Sequence, residues 1–367
     1  SFENNFRRFV FKLVVQTFCY LSCWMGMASS SSAQMKTYPL RRASHAGSWY
    51  KSSSEGLDAD LTEYLEKAAS DVTTSTRKSN GEHHGCHPLD NDVTIRGIVG
   101  PHAGYSYSGP TAAYAYQAWR ESWKRQIEIG QRQVHDVDTI LVLHPSHYAF
   151  LDGCALSSAC ELETPLGNLL VASELRQSLW DTNEFSIMDQ ETDEREHSGE
   201  MHYPLIAKIL SDLGVLEQVR ILPIMVGSIN PEKEEYFGSI LAEFIAKRNV
   251  MTIVSTDFCH WGARFDYQPM PQSKKLKIFE HISELDHQGM NIIELQEPGA
   301  FATYIRTTRN TVCGRHPLGV WLNAISQNKQ RGSEALDVTF IRYAQSSKVQ
   351  SIQDSSVSYA TAIATLT

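Results

Sequence analysis

The sequence predicts a single α/β domain, with a central mostly parallel mixed sheet flanked by helices, on the strength of three observations. Short apolar runs rich in β-branched residues recur at Val93 to Val99, Val137 to Leu143, Val219 to Val226 and Val250 to Ser255, each of a length that suits a buried strand. Helical patterns lie between them, at Thr111 to Arg125, Ser173 to Trp180, Tyr203 to Leu213 and Glu232 to Lys247. No long linker, repeat or charge block interrupts the chain from Met35 onward. Alternating β and α segments of this kind make a parallel sheet covered by helices.

The first segment of the chain is an extension, residues 1–34. Arg7 and Arg8 precede an apolar run from Phe9 to Ala28 that looks like a signal sequence or short anchor, interrupted by Lys12, Gln16 and Ser22. The run is short and broken for a spanning helix. The extension is therefore expected to be disordered or upstream translated sequence, with a start at Met25, Met27 or Met35. A membrane association would require the run to be native. A helix is expected near Asp58 to Ala68, then a polar insertion at 70–92 whose His83, His84, Cys86 and His87 read as solvated loop rather than a metal tract. The strands and helices named above follow in order, and residues 35–367 make up the domain. Two late runs, Val338 to Ala344 and Val357 to Thr365, are expected to finish the sheet as antiparallel edges.

A chain of 367 residues, 42% hydrophobic and 20% charged, can bury a large core. Its 33 basic residues are scattered among 42 acidic ones, for a net charge of −9, which leaves no electrostatic footprint for a nucleic acid. The 7 cysteines, at 19, 23, 86, 154, 160, 259 and 313, are odd in number and irregular in spacing. They read as reduced thiols of a cytoplasmic or nuclear protein.

In open α/β sheets, ligands bind beyond the carboxyl ends of the strands. Gly100-Pro101-His102-Ala103-Gly104-Tyr105 follows the first run, His144-Pro145-Ser146-His147 the second, and Thr256-Asp257-Phe258-Cys259-His260-Trp261-Gly262 the fourth. One such histidine is ordinarily a cap or loop hydrogen bonder. Several converging ones predict a polar pocket of metal type, because neutral imidazole is the commonest transition-metal ligand. Asp257 and His260, three residues apart, suit general acid and base roles. The structural alternative has Asp257 capping the turn and His260 packing on Trp261.

Two further polar segments, Asp193 to His202 and Asn310 to Pro317, precede expected helices. The histidines of the first, His197 and His202, lack the HExxH spacing and give only a weak zinc signal. Cys313, just ahead of Gly314, Arg315 and a helix from Pro317, could turn its sulfur into the same mouth, ionised by the helix terminus and nearby cations, or be an inert buried thiol. Two imidazoles and a thiolate suit iron(II), copper or zinc rather than magnesium or calcium.

These segments, with Ala43-Ser44-His45-Ala46-Gly47-Ser48-Trp49-Tyr50, the CGRHP at Cys313 to Pro317, and Tyr343 to Ser347 with Gln353 to Tyr359, resemble the Memo family, the mediators of ErbB-driven cell motility. The motifs keep the family's order from about Arg42 to the C terminus. The resemblance implies a fold similar to the class III extradiol ring-cleaving dioxygenases, whose iron site uses two histidines and a glutamate. It also implies His102, His147 and Cys313 as metal ligands, with Asp257, His260 and His197 as the further pocket residues and catalytic candidates. The chain departs from the family in its extension, its insertion at 70–92 and Tyr148, where a second histidine often follows the motif histidine; none of these removes a ligand.

Cysteine in place of glutamate weakens any transfer of dioxygenase activity, because a thiolate alters the iron potential, is oxidised by O₂ and favours copper. The expected function is a redox metalloprotein of iron or copper, zinc being less favoured, tied to motility signalling and control of oxidants. A metal-dependent oxygenase and an adaptor for a receptor tyrosine kinase phosphopeptide are the alternatives. The sequence shows no arginine cluster of the sort phosphopeptide modules use.

Overall fold

The structure, a computed structural model, describes residues 35–75, 93–130, 138–273, 275–333 and 335–366. The extension at 1–34 and the His83 to His87 tract lie outside the described residues. In chain order, β1 (Tyr38–Arg41) leads to α1 (Ser54–Ser75), β2 (Ile95–Gly100), α2 (Tyr105–Glu128) and β3 (Thr139–Pro145). Short elements follow: β4 (Cys154–Ser157), β5 (Ala159–Leu162), β6 (Leu169–Val171), α3 (Ser173–Trp180), β7 (Ser186–Met188), α4 (Gln190–Arg195), α5 (His197–Glu200) and α6 (Tyr203–Asp212). Then come β8 (Arg220–Val226), α7 (Pro231–Ile245), β9 (Val250–Ser255), β10 (His260–Trp261), α8 (Ile278–Glu294), α9 (Pro298–Thr308), α10 (Arg315–Gln330), β11 (Leu336–Gln345) and β12 (Ser356–Leu366).

The strands of the described residues join one sheet, in the order β1-β5-β6-β8-β3-β9-β2-β12-β10, with β11 on β12 and the β4–β7 pair on β8. The centre, β8-β3-β9-β2, is parallel and buried on both faces, which is why those strands read as unbroken apolar runs rather than alternating ones. Its register sets up the site. Leu143 lies level with Val254, and Val254 with Val99. The residues that follow them, His147, Asp257 and His102, therefore leave the sheet at the same end. In β3, Ile140, Leu141, Val142 and Leu143 are fully buried. At roughly 1.5–3 kcal/mol for each such side chain, this frame outweighs any single change at the strand ends.

Three expectations about elements need correction. β12 is not an edge: it pairs antiparallel with β2 and takes β11 on its other side. Its Ala360, Ala362 and Ala364 are small enough to be covered on both faces and are buried. α2 starts at Tyr105 rather than Thr111, with Pro110 inside it. Its first turn is already supplied with partners, because the Tyr105 N–H donates to the Trp49 carbonyl (2.9 Å) and Ser108 Oγ donates to the Ala103 carbonyl (2.6 Å). α1 runs on to Ser75, into the stretch expected as an insertion.

Helices α1, α2 and α6 pack together on one face, and α7 and α10 on the other. Gly97 makes the second packing possible. A Cβ there would lie 3.0 Å from Ala364 Cβ and 3.4 Å from Trp321 Cζ2, the indole of α10 whose Nε1 donates to Thr252 Oγ1 at 2.9 Å. Among the described residues no helix is long and apolar enough to cross a membrane, and Cys154, Cys259 and Cys313 are free thiols. The residues from Lys36 onward form one compact unit.

Candidate metal centre

His102 enters the site two residues beyond β2 and is 2% exposed. Its backbone N–H donates to Asp257 Oδ1 (2.9 Å), which ties the end of β2 to the end of β9. Its Nδ1 lies 2.7 Å from Ser255 Oγ. The single Ser255 hydroxyl proton goes to the Ser198 carbonyl (2.8 Å), so the oxygen accepts from the imidazole. His102 therefore carries its proton on Nδ1 and presents the Nε2 lone pair to the Cys313 sulfur. That nitrogen lies 3.1 Å from Cys313 Sγ and 4.0 Å from Asp257 Oδ2.

The loop after β3 brings His147 to the opposite wall. Its backbone N–H and Nδ1 both donate to Glu196, at 2.6 and 2.9 Å, again leaving Nε2 as the open acceptor. A buried carboxylate holding the far nitrogen of an imidazole is the usual support for a metal-binding histidine. Burial pushes the Glu196 carboxyl up, but the His147 hydrogen bond and the adjoining imidazoles outweigh it and hold the group well below the ordinary carboxylate range.

Glu196 also caps α5, accepting from the Ser198 N–H at 3.0 Å, and so places His197. The His197 ring stacks on His147 (4.5 Å between centroids, 24°) and meets His102 edge-on (5.4 Å, 79°). On its other side it lies 4.4 Å from the Trp49 ring. Burial, followed by the His147 charge, pushes its pKa down to about 3, and its Nδ1 lies 3.4 Å from Glu196 Oε1. Burial likewise lowers His102, with His147 the next cause.

Cys313 stands at the start of α10 because Gly314 lets the chain press against β9. A Cβ at Gly314 would fall 2.3 Å from the Ser255 carbonyl oxygen and 2.4 Å from Thr256 Cβ. The sulfur accepts from the Asp257 N–H at 3.1 Å. The helix terminus does not ionise it as expected. Burial pushes the thiol up, the Asp257 carboxylate adds to the effect, and the lowering hydrogen bonds do not compensate. Asp257 is itself raised by burial, against the pull of His260.

His260 sits on β10. Its Nδ1 donates to the Phe258 and Thr311 carbonyls (2.9 and 3.0 Å), and its ring meets Phe265 edge-on rather than packing on Trp261. It belongs to neither group of potential ligands described next. His144 turns inward, with Nδ1 3.0 Å from Ser198 Oγ, and is pushed down to about 4 by burial.

Among the described residues, two sets of donor atoms lie within 4.8 Å of one another and could hold a metal ion: His102, His147 and His197, and His102, Asp257 and Cys313. The donors fit a transition metal, being imidazole and sulfur with a single carboxylate, on a backbone frame that fixes them. His147 and Cys313 fall in different sets, with His102 common to both.

Sequence reasoning missed the supports. Arg41 is buried and donates to Asp193 Oδ1 (2.9 Å), to Glu200 Oε2 (2.7 Å) and to the Asp193 and Glu196 carbonyls. Glu200 in turn accepts from His45 Nδ1 (2.8 Å) and the Tyr50 hydroxyl (2.7 Å). Burial raises Glu200, yet Arg41 foremost and then His45 bring it down to about 2. His45 lies 6.0 Å from His197, ring to ring, and so forms a third layer of the wall. The signal was present in the alternation of Glu196, His197 and Glu200, which marks both faces of α5 as polar and buried.

Comparison with known proteins places the chain. A model of the family described as Memo-like protein matches residues 41–363. Protein MEMO1 of Mus musculus and of Homo sapiens are each 39% identical over 87% of this chain and 95% of their own length. The Caenorhabditis elegans protein memo-1 homolog is 36% identical over 88% of this chain and 82% of its own. Among solved structures, the uncharacterized protein JW3007 of Escherichia coli K12 matches 72% of this chain and 99% of its own, at 12% identity and a TM-score of 0.41. With a family model spanning nearly the whole domain and relatives well above 30% identity, this chain belongs to the Memo-like protein family.

Proposed function

We propose that the protein is a redox-active metalloprotein that binds iron or copper in the pocket of His102, His147 and Cys313, with zinc less favoured. One observation supports this above the rest. The Nδ1 atoms of His102 and His147 are each committed to a partner, Ser255 and Glu196, so each histidine keeps Nε2 for a metal, and that of His102 lies 3.1 Å from the Cys313 sulfur. Iron or copper bound there would supply one-electron chemistry and Lewis acidity at the pocket floor. The chain's own part is to orient and shield. Ser255 and Glu196 fix the tautomers, Asp257 anchors the turn before α2, and Trp49 and Tyr148 flank His197 at the mouth.

A cytoplasmic or nuclear setting, with thiols kept reduced, agrees with the free cysteines. Motility signalling and control of oxidants enter this reading through family membership. The test is metal analysis with electron paramagnetic resonance on protein purified without oxygen, beside His102→Ala and Cys313→Ala. We expect iron or copper near stoichiometry in the wild type and a loss in both variants. Unchanged occupancy in both would overturn the reading.

An oxygenase reading is favoured by a separate observation. Asp257 is buried beside His102, and His260, whose Nδ1 is held by two carbonyls, has its other nitrogen available for proton transfer. Oxygen uptake by the iron-loaded protein across a panel of catechols tests it, with turnover lost in His260→Gln; no uptake on any of them overturns it. For a phosphopeptide adaptor, the rim offers Arg195, whose guanidinium lies 5.0 Å over the Tyr148 ring.

A further inference from the structure

We propose that Tyr116, Trp119 and Trp123 form a one-electron conduit along α2, from the floor of the His102 pocket to the opposite end of the sheet. His202 takes the proton at its first step. The proposal rests on the redox reading above for its oxidant, and on its own geometry for the path.

Helix α2 begins just after His102 and spaces the three rings at i, i+3 and i+7, which puts them on one face. All three are buried. The ring centroids of Tyr116 and Trp119 are 5.9 Å apart, and those of Trp119 and Trp123 5.1 Å. Tyrosine and tryptophan give up one electron readily, and rings this close pass the resulting hole in short hops. The path covers about 10 Å of helix. It ends beside the amino end of β2, where Ser122 donates to the Val93 carbonyl (2.8 Å) and accepts from the Ile95 N–H (3.2 Å). Ile129, which follows α2, is exposed there.

Packing accounts for the two indoles but not for the phenol, since phenylalanine would fill the same space at 116. The Tyr116 hydroxyl lies 2.8 Å from His202 Nδ1, and among the described residues no other tyrosine hydroxyl is hydrogen-bonded to a histidine. His202 Nε2 is buried without a partner. Donation by the phenol therefore strands one ring proton, whereas acceptance would strand the phenol proton as well as the Nε2 lone pair. Gly100, two residues before His102, seats the imidazole: a Cβ there would fall 3.2 Å from His202 Cε1.

Tyr116 gives an electron to a one-electron oxidant at the pocket metal while its phenol proton crosses to His202 Nδ1. The products are a neutral tyrosyl radical and an imidazolium. Burial, with the His144 charge second, lowers His202 to about 3, yet an oxidised phenol is a far stronger acid than that. Burial keeps Tyr116 protonated until then. Trp119 next returns an electron to Tyr116 as the proton moves back, Trp123 refills Trp119, and a soluble one-electron reductant such as ascorbate refills Trp123. One electron has passed from reductant to pocket, with no net proton transfer. The conduit draws oxidising equivalents away from Cys313 and the pocket histidines.

Flash-generated ruthenium(III) polypyridyl, an oxidant that needs no metal in the pocket, tests the path on the purified protein by freeze trapping and high-field electron paramagnetic resonance. The expected signal is a tyrosyl radical whose g-tensor is lowered by a hydrogen bond from imidazolium. It should be lost in Tyr116→Phe, lose that shift in His202→Gln, and form at least about tenfold more slowly in Trp119→Phe. No such signal in the wild type, an undiminished one in Tyr116→Phe, an unchanged shift in His202→Gln or an unchanged rate in Trp119→Phe would overturn the proposal. Peroxide added to protein loaded with iron(II) or copper(I) supplies the oxidant from the pocket instead, and the same radical is expected. A radical by light but none by peroxide would overturn the redox reading and leave the conduit standing. Circular dichroism checks the fold; should Trp119→Phe not fold, Tyr116→Phe against the wild type decides.

Discussion

Two buried polar clusters lie in this fold, and they are organised in opposite ways. Around Asp286 of α8, both carboxylate oxygens are taken up by donors. Oδ1 accepts from the Cys259 N–H (3.2 Å) and Asn310 Nδ2 (2.9 Å), Oδ2 accepts from the Tyr343 hydroxyl (2.9 Å), and Tyr304 donates to the Leu285 carbonyl (2.9 Å). In the His102 pocket Ser255 and Glu196 take the outer nitrogens of His102 and His147, and the inner nitrogen of His102 meets the Cys313 sulfur at 3.1 Å. Burial of polar groups therefore does not by itself mark a site. What marks it is a set of metal-type donor atoms that the protein orients toward one another from the outer side.

Exchanging the two kinds of cluster by mutation should separate stability from metal binding. Asp286→Ala removes the acceptor from three buried donors, at about 1–3 kcal/mol apiece. We expect a loss of stability on the order of 4 kcal/mol in denaturant titrations, with metal content per folded molecule unchanged. A large fall in metal content would break the distinction between the clusters. His102→Ala should do the converse. Metal affinity drops by more than about 100-fold, near 2.7 kcal/mol, while stability shifts by only about 1 kcal/mol. If the metal-free variant were instead severely destabilised, His102 would belong with the structural cluster.

Glu196→Gln probes the support rather than the ligand. The amide can still accept from His147 but carries no charge, so the imidazole becomes a poorer donor and its orientation less certain. Metal affinity should fall about tenfold, read by competition with a chelating dye. No change would mean that the carboxylate matters only as the cap of α5, where it meets Ser198.

The difference between the clusters also explains what could be read in advance. β9 occupies Val250–Ser255 and α3 Ser173–Trp180, as their apolar periods indicate, because each buries enough of its own side chains for the pattern to be local. β5, β6 and β7 are three or four residues long and owe their existence to edges already present in the sheet, so no period announces them. The pocket follows the same logic. His102, His147 and Asp257 are visible because strand ends point to them, and Cys313 needed the family resemblance. Their supports are not visible, because Ser255 stands 153 residues from His102, and Glu200 155 from His45. Helix α8, which carries Asp286, has a clear amphipathic pattern, yet nothing in it says that its one acid on the buried face meets Asn310 and Tyr343.

The smallest effect sharpens the comparison through pH. Burial raises the Asp286 carboxyl, and its hydrogen bonds only partly oppose that. A carboxyl raised in the native state binds more protons folded than unfolded between the two pKa values, so stability is fully present below the ordinary aspartate value, about 4, and falls as pH rises through the native one. The neighbouring groups do not add to this slope: Cys259, Tyr267, Tyr304 and Tyr343 are all pushed up by burial and remain neutral. His287, against the Tyr343 ring, and the pocket histidines are present in any variant and cancel in a difference. Asp286→Asn, whatever its absolute stability, should therefore lose less stability between pH 4 and pH 7 than the wild type. Parallel curves for the two proteins would show that the native hydrogen bonds hold the carboxylate as well as water does, and the cluster would then differ from the metal pocket in geometry but not in the charge it tolerates.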